Sequence, residues 1–400
     1  MNFCGSYRPD DVTFLLKRLA PLPFVDVARK EQLIQSGQRH YSEMLSPEAL
    51  PSARYLEIFR SACEANREQM ARDCLTLAAL IAARRSGPIT LVSLVRAGTP
   101  VGVILKHLLR QVLGREAAHY SVSIVRDRGI DEVALGHILS QGHAPESIVF
   151  IDGWTGKGVI SRVLEDAVDG FNQRHGTAID RGLYVLSDLA GTAACAASSL
   201  DYLIPSSILN ATVSGLVSRS VLNESIGPGD FHGCVYYDEF EAHDVSREFA
   251  DSLIAEGVAL ANREALSPLN VETLASPQIG KNSFPVRTEI STPDGDRANS
   301  EGLSTPEPMD RARAAAISTE FLAATMAQHG ISDVNLVKPG IGEATRVLLR
   351  RVPRLLILRD PDAPDVAHLK LLAAEKSVPV IVDAALPYQA VSLIQSALDG

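Results

Sequence analysis

The sequence predicts an α/β fold in which a doubly wound parallel sheet with a helical N-terminal appendage precedes a small second α/β domain. Two observations predict it. First, several apolar runs are each followed by a loop of small or charged residues and then by a helix-period pattern. These apolar runs are Ile89–Leu94, Tyr120–Val125, Ile148–Ile151 and Leu183–Leu186. Second, the alternation of strand and helix patterns resumes after a Pro/Ser-rich stretch. Strands that alternate with helices are typical of a covered parallel sheet.

The N-terminal residues 1–85 have a mostly helical pattern and precede the run Ile89–Leu94. After this run comes the turn Arg96, Ala97, Gly98 and Thr99, where Thr99 suits a helix N-cap and Pro100 suits the first helical position. Gly114 is placed to end the helix. The turn is an anion-site candidate; alternatively, Arg96 is a solvated turn residue.

Charged residues follow the next strand, Tyr120–Val125. Arg126 and Arg128 flank Asp127 there, and two guanidinium groups at a strand end fit the oxygens of a pyrophosphate. Alternatively, Asp127 neutralises one arginine in a surface ion-pair loop.

The segment IVFIDGWTGKGVI, residues 148–160, places Asp152 and the loop Thr155, Gly156, Lys157 and Gly158 between a strand and a helix. Backbone N–H groups of such a loop can hold a phosphate. It is not a Walker loop, because Gly158 stands where Ser or Thr is required, and it lacks G-x-G-x-x-G. A tight packing turn is the alternative.

Composition limits the function classes. The 400 residues are 46% hydrophobic and 22% charged with a net charge of −10, and no apolar run has membrane-spanning length. The five cysteines have no regular spacing and the start of the chain lacks a signal-peptide pattern, so we expect a cytoplasmic protein. No Cys/His cluster has metal-ligand spacing, and any metal is expected to be Mg²⁺ bound together with phosphate oxygens.

The sequence divides into a first domain at 1–265, a Pro/Ser-rich linker at 266–308 and a second domain at 309–400. The second domain reads as helices and strands in alternation. The predicted elements are a helix Met309–His329, a strand Val334–Leu336, a helix Glu343–Arg350, a strand Leu355–Leu358, a helix Val366–Lys376, a strand Val378–Val382 and a helix Tyr388–Leu398. The second domain contains as many Lys and Arg residues as Asp and Glu residues, so the whole net charge of −10 lies in residues 1–308.

The whole chain resembles the phosphoribosyltransferase-like proteins of bacterial tellurite-resistance (Ter) stress operons, a family also labelled cysteine protease StiP, through segments that span residues 5 to about 240. The segments that carry the resemblance are GSYRPDDVTFLL, RHYSEML, SLVRAGTPVGV, HYSVSIVRDRGID, FIDGWTGKGVI and LIPSSILNATVSGLVSRSVLN. It implies a type I phosphoribosyltransferase fold and transfer of phosphoribose from phosphoribosyl pyrophosphate, with Mg²⁺, to an orotate-like base in a stress response. Gly153 departs from that family, which has a second acid there.

The resemblance also implies roles for individual residues. Asp152 would contact the ribose and Arg126 and Arg128 the leaving pyrophosphate as catalytic groups. Phosphoribosyl pyrophosphate would be held by Arg96, Ala97, Gly98, Thr99, Thr155, Gly156, Lys157 and Gly158. The base would lie against His40, Tyr41 and Arg219.

The second domain resembles Pelota-like RNA-binding domains, through KPGIGEATR and residues 355–382. The resemblance implies a small α/β/α sandwich that binds structured RNA, with contacts from Lys338, Gly340, Glu343, Thr345 and Arg346. Gly342 stands where that family has Asn, which removes a base-reading amide. A domain that keeps this fold for interaction or oligomerisation is the alternative, and a homodimer is compatible with the sequence.

Two other functions stay open. One is a non-catalytic regulator that binds a nucleotide or RNA. The other is a cysteine protease, which needs a thiolate with a histidine base. Cys63, Cys74 and Cys195 lie among small or apolar neighbours and read as buried thiols, whereas Cys4 and Cys234 remain candidates.

Overall fold

The computed structural model describes residues 2–20, 33, 36, 38–45, 48–264 and 311–395. The linker predicted at 266–308 lies outside the described residues. We call residues 2–264 the N-terminal part and residues 311–395 the C-terminal part.

Six parallel strands form the main sheet of the N-terminal part, in the order β1-β4-β3-β7-β8-β9. Their bounds are β1 Thr13–Leu15, β3 Ile89–Leu94, β4 Ala117–Val122, β7 Ile148–Thr155, β8 Leu183–Asp188 and β9 Cys195–Ser198. Two short pairs flank the sheet, β2 Lys17–Arg18 with β10 Gly233–Cys234 and β5 Ile124–Val125 with β6 Gly129–Ile130. The predicted α/β class with a parallel sheet is confirmed.

Helices cover both faces of the sheet, as continuous apolar strands require. One face packs against α1 Ala53–Arg84, α2 Gly98–Gln111 and α5 Ser246–Arg263; the other packs against α3 Glu132–Ser140 and α4 Val159–His175. The strand β3 is buried at all six positions, which explains why its sequence is an uninterrupted apolar run.

The strand order reverses between β3 and β7. The chain leaves β3 toward β4 on one side, and it continues from β7 toward β8 on the other. Loops that leave neighbouring strands in opposite directions open a crevice at the carboxyl edge of the sheet, which is where open α/β sheets bind ligands. The turn after β3 and the loop after β7 therefore lie beside each other.

The C-terminal part has its own four-stranded sheet, in the order β11-β14-β12-β13. Its elements are α6 Arg311–His329, β11 Val337–Pro339, α7 Ile341–Arg350, β12 Pro353–Leu358, α8 Ala367–Glu375, β13 Val380–Val382 and β14 Ala390–Ile394. A buried apolar core joins α7 and α8 to this sheet.

Four predicted elements differ from the structure. Val334–Leu336 is a 3-10 helix and not a strand, and the strand follows at Val337. The helix predicted over Tyr388–Leu398 is wrong, because Ala390–Ile394 is a fully buried strand between β11 and β12. Thr99 is not an N-cap: α2 begins at Gly98, and the Thr99 hydroxyl lies 2.7 Å from that of Ser121.

The fourth difference concerns the N-terminal appendage. Its described residues include a long helix, α1, but also β1, which is an edge strand of the main sheet, and β2. These N-terminal residues are therefore part of the sheet architecture and not a helical attachment alone.

Candidate functional site

The carboxyl edge at the β3/β7 reversal is covered by the C-terminal part. Two backbone N–H groups of the C-terminal part, at Ile341 and Gln389, each donate to the buried Asp201 carboxylate at 2.8 Å. Tyr55 OH donates to Leu349 O, and Arg350 Nη2 donates to Ile208 O and to Ser207 O. The crevice therefore lies at the interface between the two parts of the chain.

Arg96, in the turn after β3, is held by polar groups of the N-terminal part. Its Nη1 donates to Glu48 Oε1 at 2.6 Å and to Val217 O at 3.2 Å, and its Nη2 donates to Asn210 Oδ1 at 3.0 Å. The alternative of a solvated turn residue is wrong, since the Arg96 side chain is only 17% exposed.

The backbone of the same turn approaches β7 closely. A side chain at Gly98 would place Cβ 2.3 Å from Ile151 O, so glycine is required there. Ala97 precedes Gly98 as the N-cap residue of α2 and makes no side-chain cap.

Asp152 lies within β7, three residues before its end. Its Oδ1 accepts a hydrogen bond from Gly153 N at 2.8 Å. Burial raises the pKa of Asp152 to about 7, although this hydrogen bond and the nearby Arg346 charge oppose the shift. A Cβ at Gly153 would lie 3.7 Å from Ala97 O, so the position has room for a side chain.

The loop Thr155–Gly158 contacts the C-terminal part. Lys157 Nζ donates to Val334 O at 2.9 Å and to Val337 O at 3.1 Å, and a Cβ at Gly156 would lie 3.7 Å from Pro339 O. Within the loop, Gly158 N donates to Thr155 Oγ1 at 3.1 Å. Gly158 is the N-cap residue of α4 and has a φ of +68°. Burial, with Lys338 nearby, lowers the pKa of Lys157 to about 8.

Arg126 and Arg128 point to separate partners. Arg126 Nη1 donates to Asn335 Oδ1 at 3.2 Å, while Arg128 Nη2 pairs with Glu43 at 3.3 Å. The alternative in which Asp127 pairs with one of them is not what the structure records; Asp127 takes a left-handed φ of +66° in the turn between β5 and β6.

His40, Tyr41 and Arg219 lie together, as the resemblance implied. Arg219 Nη2 donates to Tyr41 O at 2.8 Å and its guanidinium lies 5.6 Å from the Tyr41 ring centre. Tyr41 OH accepts from Arg126 N at 2.6 Å, and His40 Nδ1 lies 2.8 Å from Ser42 Oγ. These groups form hydrogen bonds with one another and with neighbouring backbone, and they hold residues 40–44 against the sheet edge.

Two of the residues implied to contact RNA, Gly340 and Arg346, face the N-terminal part, whereas Thr345 is buried within the C-terminal part. A Cβ at Gly340 would lie 2.7 Å from the Leu189 side chain, and the Thr345 hydroxyl is buried between Ile341 O and His368. Glu343 lies 3.0 Å from Arg346 and 3.9 Å from Lys338. Burial raises the pKa of Glu343, but these cations outweigh it and the net shift is downward.

Arg346 joins the two parts electrostatically and by stacking. Its guanidinium lies 5.9 Å from the centre of the Trp154 ring, within reach of a cation–π contact. Trp154 and the buried acid Asp201 were missed by the sequence reasoning. The available signal was a single tryptophan at a strand end and an acid before the segment LIPSSILN.

The cysteines differ in exposure. Cys74, Cys195 and Cys234 are buried, which confirms the reading of the first two and removes Cys234 as a candidate. Burial raises the pKa of Cys63 and that of Cys234 to about 12. Cys4 is partly exposed.

The described residues contain no group of three or more His, Cys, Asp or Glu residues that could hold a metal ion. None of their helices is long and apolar enough to span a membrane.

Comparison with known families identifies both parts. Residues 5–254, more than half of the chain, match the family described as "Tellurite-like stress resistance cysteine protease StiP". A relative from Acinetobacter baylyi, named "Cysteine protease StiP", is 38% identical over 406 aligned residues, which cover 98% of this chain and 94% of the relative. The chain belongs to the StiP family. Residues 316–396 match the Pelota RNA-binding domain model.

The StiP family assignment corrects the function expected from the sequence. The expected phosphoribosyltransferase, with phosphoribosyl pyrophosphate and an orotate-like base as substrates, is wrong, because the family and the relative are both named as cysteine proteases, which are hydrolases. The expected StiP-family membership and the expected match of the second domain to Pelota RNA-binding domains are confirmed. Mg²⁺ was expected only as an ion bound together with phosphoribosyl pyrophosphate.

Proposed function

We propose that this StiP-family protein is a thiol-dependent peptidase. One observation carries the proposal: the 38% identity to a relative named as a cysteine protease extends over 98% of the chain. An identity of this extent supports a shared reaction class as well as a shared fold.

Elimination by burial supports Cys4 as the nucleophile. A catalytic thiol must be reachable by substrate and must ionise. Cys74, Cys195 and Cys234 are buried, and burial raises the pKa of the half-buried Cys63 to about 12. All five cysteines of the chain lie in the described residues, so Cys4 is the thiol that remains.

The loop that carries Cys4 is tightly positioned. Gly5 takes a left-handed φ of +57°, and a Cβ there would lie 2.3 Å from Gly215 O. Ser6 N donates to the same Gly215 O at 3.1 Å, and Tyr7 N donates to Cys4 O at 3.2 Å. The Cys4 thiol has only a weak contact, 3.8 Å from Gly5 O. A fixed backbone with a weakly engaged side chain suits a nucleophile.

The same loop supplies a carboxylate that orients a histidine. Asp11 Oδ1 lies 2.8 Å from His107 Nε2, and Arg8 N donates to Asp11 Oδ2 at 2.9 Å. A histidine whose ring is oriented by a carboxylate is the usual base for a thiol nucleophile. The other ring nitrogen, His107 Nδ1, lies 3.2 Å from Arg110 Nη2, so this proposal has His107 act as the base, oriented by Asp11, once the Arg110 contact is exchanged for the Cys4 thiol.

Substitution with a matched control tests the assignment. Cleavage of a fluorogenic casein substrate should be lost in Cys4→Ser and retained in Cys63→Ser. His107→Gln should lower the rate by about 10²–10⁴-fold, the usual contribution of general base catalysis. Equal cleavage by Cys4→Ser and the unaltered chain would rule Cys4 out, and unchanged cleavage in His107→Gln would rule out the assigned base.

RNA binding is a second candidate function. The match of residues 316–396 to the Pelota RNA-binding model favours it, and Arg346, one of the implied RNA contacts, keeps 43% of its side chain exposed. In the docked arrangement Lys338 and Glu343 are mostly covered, at 17% and 22% exposed. We therefore expect RNA to bind more tightly when the two parts separate.

Fluorescence anisotropy with a labelled hairpin RNA tests this second function. Asp201→Ala, which removes the acceptor of two N–H groups between the parts, should bind the hairpin more tightly than the unaltered chain. Asp360→Ala, which affects an exposed turn of the C-terminal part, is the control. Absence of binding in all three proteins would reject the RNA function.

The proposal also includes a fold type for each of the two parts and a cellular location. We assign the parallel sheet of the N-terminal part to the phosphoribosyltransferase-like type, without that activity, and the C-terminal part to the Pelota-like sandwich type. The strand reversal at β3/β7 and the mixed four-stranded sheet support these types. The five cysteines form no disulfide bond with one another, which supports a cytoplasmic location.

A further inference from the structure

A cavity of about 60 Å³ lies between the two parts of the chain, beside the reversal of strand order. Three arginine side chains line it, one from the N-terminal part and two from the C-terminal part: Arg96, Arg346 and Arg350. Its volume exceeds the roughly 10–15 Å³ that a single water molecule requires on this measure. The cavity therefore has room for a small polyatomic anion.

Hydroxyl groups in this cavity are buried without a partner. Ser206 and Ser207 line it and are 9% and 4% exposed, and neither hydroxyl has a hydrogen-bond partner within the described residues. The same holds for Arg350 Nε. A buried polar group without a partner is unfavourable by about 1–3 kcal/mol, so two hydroxyls and a guanidinium N–H in one cavity indicate a ligand rich in acceptor oxygens.

Positive charge exceeds negative charge around the cavity. Arg96 is paired with Glu48 and Arg346 with Glu343, whereas the recorded hydrogen bonds of Arg350 go to the neutral carbonyls of Ser207 and Ile208. Burial, with the charges of Arg346 and Arg96, lowers the pKa of Arg350 to about 9. In a chain with a net charge of −10, this local excess of cations favours an anionic ligand.

A larger cavity of about 320 Å³ adjoins the first and shares Leu209, Asn210 and Arg350 with it. Its lining is mainly apolar and aromatic, with contributions from Leu50, Pro51, Tyr55, Ile208 and Phe240. Pockets of about 300 Å³ or more with such a lining bind the organic portion of small ligands. The two cavities together fit a molecule with an anionic head and an apolar body.

We propose that the two cavities bind a phosphorylated small molecule, whose phosphate lies among Arg96, Arg346, Arg350 and the two serine hydroxyls and whose organic portion fills the larger cavity. Guanidinium groups match phosphate oxygens with paired N–H donors, and the serines supply further donors. The ligand contacts both parts of the chain and so stabilises their docked arrangement. This site is independent of the peptidase proposal and requires no transfer of phosphoribose.

Calorimetry on the full chain tests the site with three probes: inorganic phosphate, adenosine monophosphate and adenosine. The monophosphate should bind more tightly than phosphate, and adenosine should bind at least tenfold more weakly than the monophosphate. Equal binding of adenosine and the monophosphate would overturn the phosphate assignment. Equal binding of phosphate and the monophosphate would overturn the role of the larger cavity.

Matched variants locate the binding. The double variant Ser206→Ala/Ser207→Ala should fold with undiminished stability, since its hydroxyls have no partner, and should bind the monophosphate about tenfold more weakly or worse. Ser161→Ala removes another buried hydroxyl without a partner, outside both cavities, and should bind normally. Arg346→Gln should weaken binding, and Arg162→Gln, on the exposed side of α4, should not. Unchanged affinity in the serine double variant and in Arg346→Gln would refute the site.

The serine double variant also distinguishes a small-molecule ligand from RNA. Ser206→Ala/Ser207→Ala should leave the affinity for a labelled hairpin RNA unchanged while it weakens binding of the monophosphate, because the cavities are too narrow for a folded strand. An equal loss of affinity for the hairpin and for the monophosphate would refute the small-molecule proposal in favour of a nucleic-acid surface.

Discussion

Asp73 is a buried acid in the middle of α1, and its replacement by asparagine should change how stability depends on pH. Its side chain is held by three donors: Gln69 Nε2 at 3.0 Å, Ser198 Oγ at 3.1 Å and Tyr202 OH at 2.9 Å. Burial raises the pKa of Asp73 from 3.8 to about 7 in the folded protein, although these hydrogen bonds oppose the shift. The folded state therefore binds a proton that the unfolded state has lost between these two pH values.

The sign and size of the effect follow from linkage. A carboxyl group whose pKa is higher in the folded state contributes most stability below its unfolded pKa, and that contribution decreases as pH rises toward the folded pKa. A shift of about three pKa units corresponds to about 4 kcal/mol between pH 4 and pH 7. Asp73→Asn keeps the shape and can keep the hydrogen bonds, since an amide both donates and accepts, but it cannot titrate.

Urea denaturation at pH 5 and pH 8 measures the effect. The free energy of unfolding of Asp73→Asn, relative to that of the unaltered chain, should increase from pH 5 to pH 8 by about 2.6 kcal/mol, because most of the roughly 4 kcal/mol is lost between pH 4 and pH 7 and only the part above pH 5 is sampled. The control Asp169→Asn alters an exposed ion pair with Arg181 and should show little change. If the difference for Asp73→Asn were the same at both pH values, the raised pKa would be refuted.

Three further predictions concern the interface and the thiols. Asp201→Ala leaves the N–H groups of Ile341 and Gln389 without their acceptor. Hydrogen exchange at these two amides should therefore be at least tenfold faster than in the control Asp360→Ala. Equal protection in the two variants would show that Asp201 does not hold the parts together. Gly340→Ala should lower the melting temperature, because φ is +92° there and the added Cβ would lie 2.7 Å from Leu189, whereas alanine at Gly136, where nothing lies within 4 Å, should not. Cys63, whose pKa burial raises to about 12, should react slowly with iodoacetamide at pH 7.5 until urea unfolds the chain; rapid labelling of the folded protein would contradict the raised pKa.

The sheet of the N-terminal part was predictable because each central strand is buried on both faces. Burial of both faces requires an uninterrupted apolar run, and the run Ile89–Leu94 coincides with β3. The segment Ala390–Ile394 shows where this reasoning fails. Its five residues are all buried, and a short apolar run has the same appearance in a helix as in a central strand. Pairing with β11 and β12 decides the outcome, and pairing partners are distant in sequence.

The candidate site was predictable in its separate loops but not in its assembly. The turn at Arg96 and the loop at Lys157 lie beside the strand reversal, as the order of strands and helices indicated. That the C-terminal part covers this edge could not be deduced, because the contacts between Lys157 and Val337 or Asp201 and Ile341 join residues more than 130 positions apart. Such contacts depend on docking and have no local sequence pattern.

The most direct test of the peptidase proposal is to locate the covalent adduct formed with a peptide that carries an electrophilic vinyl sulfone. Mass spectrometry of the unaltered chain should find the adduct on Cys4, with loss of casein cleavage in proportion to its occupancy, and Cys63→Ser should react in the same way. Cleavage that persists after Cys4 is fully modified would contradict the account, as would an adduct formed at another cysteine.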